Sequence, residues 1–415
     1  MRILLNREFR IIISISEKDH KARTEQKAVD AVVDKKLIIL LIISFIFLNA
    51  DISPAQDVPE DELQARINTY FDNFGVTVIY PSINFSKKLS NNTSISATYL
   101  TDIISAASMQ SLFEVDGVTS ATDRTYGGKD ETPEEWRHEI GLGITQKISE
   151  GSFYVNGLYS IEHDYSSKTI LGSVTYPFAQ QNTYLTLGAV ASFDKIFPEN
   201  RTWTKDRNTY AFNAALSQIL GKNVIAQLDA SYIDVSGYQL VGYQIVRIYN
   251  NEKQAFITYE PVYPETRIRR ALGIKSNIGI TDDITFQPGY RYYWDSWDIN
   301  SNTISAVLSR NFSETFSASV EYRQYYQTAA FFFLPYYLSL QEFMGVDGQI
   351  NSGYSNVVNF NFTLRGRKGS FISNEKMQLL GTLGYYKRHY DSPDWHSGLL
   401  NLYSFIFNIG LRYQL

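Results

Sequence analysis

The sequence predicts an all-β fold: a transmembrane, antiparallel, up-and-down β-barrel of about sixteen strands, preceded by a cleaved signal peptide. Three observations predict it. A secretory-type segment stands near the start, with Lys35-Lys36 ahead of the apolar run "LIILLIISFIFL" and small residues at Ser53 and Ala55. Beyond it, apolar and polar residues alternate with period two through run after run, each of roughly ten residues or more, enough to cross a bilayer as a tilted strand. The connections between these runs sort alternately into short polar turns and longer loops, the layout of an outer-membrane barrel with short turns on the periplasmic side.

Taken in order, residues 1–34 read as an extension ahead of a mis-assigned start, because signal sequences begin shortly before their lysines. Residues 35–55 are the signal peptide, with cleavage after Ala55. Its apolar stretch falls short of the ~20 residues a spanning helix needs, and no later segment has a run of that length. Residues 56–61 form a short periplasmic segment and 62–415 the barrel.

Strands are expected near 62–72, 75–88, 93–105, 135–148, 152–165, 167–179, 182–196, 207–219, 222–236, 266–280, 283–296, 299–311, 315–328, 353–366, 376–390 and 399–415. In "NVIAQLDASY", Ala226, Leu228, Ala230 and Tyr232 oppose Gln227, Asp229 and Ser231; in "VVNFNFTLRG", Val358, Phe360, Phe362 and Leu364 oppose Asn359, Asn361, Thr363 and Arg365. Pro81 cannot donate to a ladder, so a bulge or a rim position is expected there. The short connections are "KKLSNN", "ISEGS", "AQQN", "LGKN", "TDD" and "NFSET"; the long ones are 106–134, 197–207, 237–265 and 329–352. An even strand count puts both termini on the short-turn side. Aromatic residues crowd strand ends, as in "RYYWDSW" and "RQYYQ", where an amphipathic ring sits at headgroup level.

The last strand carries a second signal. Asn408, Gly410, Tyr413 and Leu415 fit the form polar, any, Gly, any, any, hydrophobic, any, hydrophobic that barrel-assembly machinery reads. Phe405, Phe407, Ile409, Leu411, Tyr413 and Leu415 share one parity, and Ile406 breaks the pattern of the other.

Composition excludes several classes. Acidic residues outnumber basic ones, 43 to 38, and no basic cluster alternates with aromatics, so nucleic acid is not an expected partner. The absence of cysteine removes disulfides, thiolate metal sites and thiol nucleophiles.

Four stretches, "YLTDIISAAS", "PETRIRRALGIK", "YRYYWDSWDINSNTI" and "VEYRQYYQTAAFFF", resemble an uncharacterised family of bacterial outer-membrane β-barrels, domain of unknown function 3570. The resemblance runs in order over most of Arg66 to Leu415. It implies a barrel and no reaction. The usual neighbourhood of such genes implies a link to envelope redox and flavin-attaching proteins. The chain departs from the family pattern in its bulky, aromatic-rich loop near Phe331.

The residues do not assemble a catalytic pattern, and no enzyme activity, cofactor or metal is expected. His138, His163, His389 and His396 are scattered after the signal peptide. No His-x-Ser pair occurs, which a barrel phospholipase needs on one strand face. "DWH", Asp394 to His396, is half of a water-positioning pair, but no Asp-x-Asp answers it. No metal-ligand spacing occurs either.

What parity does mark is a lumen. Arg267, Arg269, Lys275, Arg291, Arg323 and Arg365 fall on polar strand faces, as do Asp229, Glu321, Glu162 and Asp295. Two readings follow: a charged wall that selects solutes by sign, or salt bridges between neighbouring strands that fill the barrel. The expected function is a channel or uptake barrel for a small solute. The alternatives are a non-conducting scaffold barrel linked to an envelope redox system and, third, an outer-membrane hydrolase. The expected partners are outer-membrane lipid, the barrel-assembly machinery and that solute.

Overall fold

The computed structural model describes residues 60–73, 77–101, 137–198, 201–240, 245–392 and 400–415. The extension, the signal peptide, the 106–134 connection and Asp394–His396 lie outside these residues.

Alternating sequences produce strands because successive side chains leave a strand on opposite sides. Here they give β1 (Glu62–Asp72), β2 (Thr77–Ser90), β3 (Thr93–Thr101), β4 (His138–Ile148), β5 (Gly151–Ile161), β6 (Tyr165–Phe178), β7 (Thr183–Ile196), β8 (Lys205–Gly221) and β9 (Val224–Gly237). A short hairpin follows, β10 (Val246–Asn250) and β11 (Ala255–Tyr259). Then come β12 (Thr266–Gly279), β13 (Ile284–Asp295), β14 (Asn300–Asn311), β15 (Phe316–Gln327), β16 (Gly353–Arg365), β17 (Met377–Tyr390) and β18 (Asn401–Gln414). All but the hairpin join one closed barrel in which each strand pairs with its neighbours in sequence, β9 pairs with β12, and β1 pairs with β18. Every pairing is antiparallel, so the barrel strands match the expected ones to within a few residues at each end.

Closure depends on the last strand. β18 pairs with β1 from Glu62↔Gln414 to Asp72↔Ser404 and with β17 from Met377↔Tyr413 to His389↔Asn401. The seam continues past the strands, with Leu415 N–H donating to the Asp61 carbonyl at 2.9 Å. Both chain ends of the barrel therefore lie together, on the side of the short turns. There the Lys87 ammonium and the Lys88 backbone N–H both donate to Asp61 and hold its carboxyl below the usual carboxylate range.

The outer face is a continuous apolar band. Ile67, Leu142, Ile170, Leu187, Phe212, Leu228, Leu272, Ile304, Val320, Leu383 and Phe405 are all exposed on it. An exposed apolar belt around a closed barrel has one compatible solvent, lipid, and closure leaves no unpaired strand edge in it. The protein is an integral barrel of the outer membrane.

Three details differ from the sequence expectation. The 237–265 connection is not a plain loop, because it carries the β10–β11 hairpin. Pro81 sits in unbroken register opposite Ile67, and the irregularity of β2 lies instead between Lys88 and Ser90. Pro81 does stand at the edge of a ladder: the β2–β3 pairing starts one residue later, at Ser82↔Leu100. The seventh short-side turn, between β16 and β17, spans 366–376 and is tied down by Arg367 N–H on the Ile372 carbonyl and by an Arg367–Glu314 ion pair of 2.8 Å.

The sidedness is testable. An epitope inserted after the exposed Ser339 is expected to bind antibody on intact cells, and one after the exposed Lys222 only on permeabilised cells. The reverse pattern would mean the strands are counted from the wrong side. Gly348 is a poor insertion point: a Cβ there would stand 3.1 Å from the Tyr390 ring, and its carbonyl accepts from Arg388.

Candidate functional site: the barrel lumen

Register assigns every strand residue to lipid or lumen, and the sequence-marked charges all face inward. On β12, Leu272 and Ile274 are the exposed outer residues, so Arg267, Arg269 and Lys275 share the inner parity. On β13 the outer residues are Tyr290 and Tyr292, which turns Arg291 and Asp295 inward. Val320 and Tyr322 do the same for Glu321 and Arg323 on β15, and Val358 and Phe360 for Arg365 on β16. Asp229 of β9 lies opposite Gly273, which lies opposite Arg291. A Cβ at Gly273 would meet the Asp229 carboxylate at 2.3 Å, so the missing side chain is what lets that carboxylate lie along the wall.

These charges do not form one population. Arg267 donates through Nε to Asp295 at 2.8 Å and stacks over the Trp297 ring with its Cζ 4.2 Å from the centroid. Asp295 also accepts from the Tyr293 hydroxyl at 2.7 Å and from the backbone N–H groups of Trp297 and Ile299. That pair is a structural bridge at the base of the β13–β14 turn. Arg269 is buried opposite Asp295 and Ile233. Glu321 accepts from Asn359 Nδ2 at 2.9 Å. Lys275 and Arg365, by contrast, are exposed, and Arg291 and Arg323 are half-exposed.

Several lumenal groups were not singled out from the sequence. Arg388 of β17 faces inward and donates to the Gly348 carbonyl at 3.1 Å. Its parity with Thr382 was the available signal. Opposite the basic wall, Arg207 of β8 grips Asp194 of β7 at 2.7 and 2.9 Å and also donates to the Tyr165 hydroxyl. Arg137 lies 3.2 Å from Glu162 and over the same Tyr165 ring. The inner face also carries an apolar group that parity alone misassigns as polar: Leu158, Leu171, Val190, Ala211, Ile233 and Val235 pack together there. Register aligns Leu171, Val190, Ala211 and Ile233 in one row across four strands.

The lumen thus has two halves. Toward the short turns its lining is more open: Lys275 and Arg365 are exposed, and Ser319 and Asn361, which form a hydrogen-bonded ladder with the buried Thr382, are half-exposed. Toward the long loops the lining is buried: Arg207 is 1% and Asp194 3% exposed. On the β9–β17 side the loops close in. Leu240, Tyr263, Trp297, Ile299, Ala330, Phe332 and Ile350 form a small core against the inward-facing Ala271 and Tyr293. The 328–352 segment is fixed to the wall by Gln327 Nε2 on the Gln349 carbonyl at 2.8 Å and by the Arg388 bond. Burial raises the Tyr263 and Tyr337 phenols, so both stay neutral; Tyr337 donates to the Phe332 carbonyl at 2.6 Å and accepts from Gly345 N–H at 2.7 Å.

Among the described residues the histidines do not gather. His138 contacts Tyr99, His389 contacts Asn401, and His163 lies 3.8 Å from Asp164. Among the described residues no group of three His, Cys, Asp or Glu is placed to hold a metal ion.

Solved structures similar to this chain are outer-membrane barrels. A bacterial polysaccharide outer membrane secretin shares 8% identity, with 86% of this chain and 98% of that chain covered and a TM-score of 0.49. The outer membrane protein opdK of Pseudomonas aeruginosa shares 9%, with coverages of 85% and 98% and a TM-score of 0.42. The siderophore receptor PirA of Acinetobacter baumannii shares 9%, covering 80% of this chain and 54% of that one at a TM-score of 0.43. No curated protein matches. The model of the family described as "Protein of unknown function (DUF3570)" matches residues 48–405, and the chain belongs to that family.

Proposed function

We propose that the barrel passes a small solute through its lumen and favours anions. The observation that carries this reading is the uneven inner charge. From β12 to β17 the inward residues include Arg267, Arg269, Lys275, Arg291, Arg323, Arg365 and Arg388, against Asp295, Glu321 and the Asp229 carboxylate that reaches over Gly273 from β9. With Arg267 neutralised by Asp295, the remaining cations form one wall that runs from the loop side to the short-turn side. A wall of one sign beside a low-dielectric barrel raises the local concentration of the opposite ion. The loop core over the β9–β17 side narrows the entrance, which suits a selective path rather than a wide one.

A second reading, a non-conducting scaffold barrel, draws on the buried loop-side lining around Arg207, Asp194, Ile233 and Val235. Planar bilayers separate the two. The purified barrel is expected to give stepwise conductance with anion preference; a membrane that stays silent at every protein level would leave the scaffold reading standing.

A further inference from the structure

The outer face carries a cluster that solute passage does not use. Lys168 of β6 points to the lipid side and is exposed. Register sets it between two outward aromatic residues, Tyr159 of β5 and Phe193 of β7, which are 43% and 47% exposed. Phe193 meets Tyr210 of β8 edge-on at 6.2 Å. One outward step toward the loops, Ser166 lies opposite Lys195. Lys168 and Ser166 are two apart on one strand face, and Lys195 is directly across from the serine. Side chains so related stand roughly 5 to 8 Å apart, close enough for two ammonium groups and a hydroxyl to meet on one small anion.

Other cations of this girdle are already occupied by rings. Arg270 lies over Tyr232 at 5.8 Å and Lys387 over Tyr403 at 5.6 Å. Lys168 has no such ring and, among the described residues, no carboxylate within ion-pair distance. Lys195 shares Asp206 at 3.1 Å, an exposed pair that contributes little and is readily exchanged. An aromatic girdle marks the headgroup level of the bilayer, and at the long-loop end that level belongs to the outer leaflet.

We propose that Ser166, Lys168 and Lys195 bind a phosphate group carried by an outer-leaflet lipid. The ammonium groups of Lys168 and Lys195 make charge-assisted hydrogen bonds to the phosphate oxygens, and Ser166 donates a third. Tyr159 and Phe193 pack against the apolar part of the same lipid. The rings on both flanks select a lipid-borne phosphate over a free one, because free phosphate leaves them nothing to bury.

The test is lipid retention by the full barrel in detergent, read by native mass spectrometry with a phosphorylated, acylated disaccharide as probe. Lys168→Gln with Lys195→Gln is expected to lower retention about 10- to 30-fold, as the loss of two cations near a phosphate implies. Lys168→Arg with Lys195→Arg should retain it, which separates charge from folding. Lys222→Gln, on a short turn, should change nothing. Equal retention by the double Gln variant, equal binding of the dephosphorylated probe, or displacement by inorganic phosphate at the probe's own concentration would each overturn the proposal.

Discussion

Deleting Tyr413 to Leu415 is expected to keep the chain out of the outer membrane. The three residues are the end of the closing seam. Their loss removes the Glu62↔Gln414 and Met377↔Tyr413 pairings and the bonds from Gln414 N–H to the Lys376 carbonyl and from Leu415 N–H to the Asp61 carbonyl. It also removes the two terminal hydrophobic positions that assembly machinery is expected to read. Tyr413→Asp separates the contributions, since it keeps the backbone pairing. Tyr413 faces lipid near the short-turn rim, where a carboxylate costs only about 0–1 kcal/mol, so a block to insertion by this variant would come from recognition. Gly410 has a further reason to be glycine: it faces inward, and a Cβ would come within 3.0 Å of Arg66 Cγ on the adjoining β1. Membrane fractionation with a heat-modifiability gel decides. Normal outer-membrane levels of the truncated chain would remove the assembly role from "NIGLRYQL".

Why that strand was legible and others were not is a matter of range. Period-two alternation is local, so each barrel strand announces itself in its own ten or so residues. The β10–β11 hairpin does not, because Val246 and Ile248 are buried by Tyr337 and Met344 from a loop about ninety residues away. Ile406 was visible only as an exception to its parity. The structure supplies the cause: it is an inward residue, 3% exposed, seated between Gly384 and Tyr70. The apolar row Leu171, Val190, Ala211 and Ile233 is the same effect across four strands, since parity says which way a residue points and nothing about what it meets there. For the charges, parity gives a direction alone: Arg267, Arg269, Lys275, Arg291, Arg323, Arg365, Asp229 and Glu321 stand on the parity opposite to the exposed apolar residues of their strands. It could not say that Arg267 is held by Asp295, because that partner comes from the next strand and its geometry from the Trp297 turn.

That division sets the experiment on selectivity. Arg291→Glu combined with Arg323→Glu is expected to swing the open channel from anion toward cation preference. Both residues are half-exposed on the inner face, on β13 and β15, with only β14 between them: Arg291 lies opposite Thr303 and Arg323 opposite Ser305. Neither replaces a member of the Arg267–Asp295 bridge, so the mouth core that rests on it is left intact. The exchange reverses two charges on one wall, a change of four units in the local field. Salt screens that field beyond ~10 Å at 0.1 M, so its sign is set by residues lining the path and not by the net charge of −5 over the chain. Glu321 stands two residues from Arg323 on the same face and engages Asn359, so it already offsets part of the wild-type field and adds to the reversed one. The shift should therefore be larger at low ionic strength and shrink as salt rises. Reversal potentials under a salt gradient measure it. An unchanged reversal potential in a conducting double mutant would mean that Arg291 and Arg323 brace the wall, and that solute choice lies with the loop core above them.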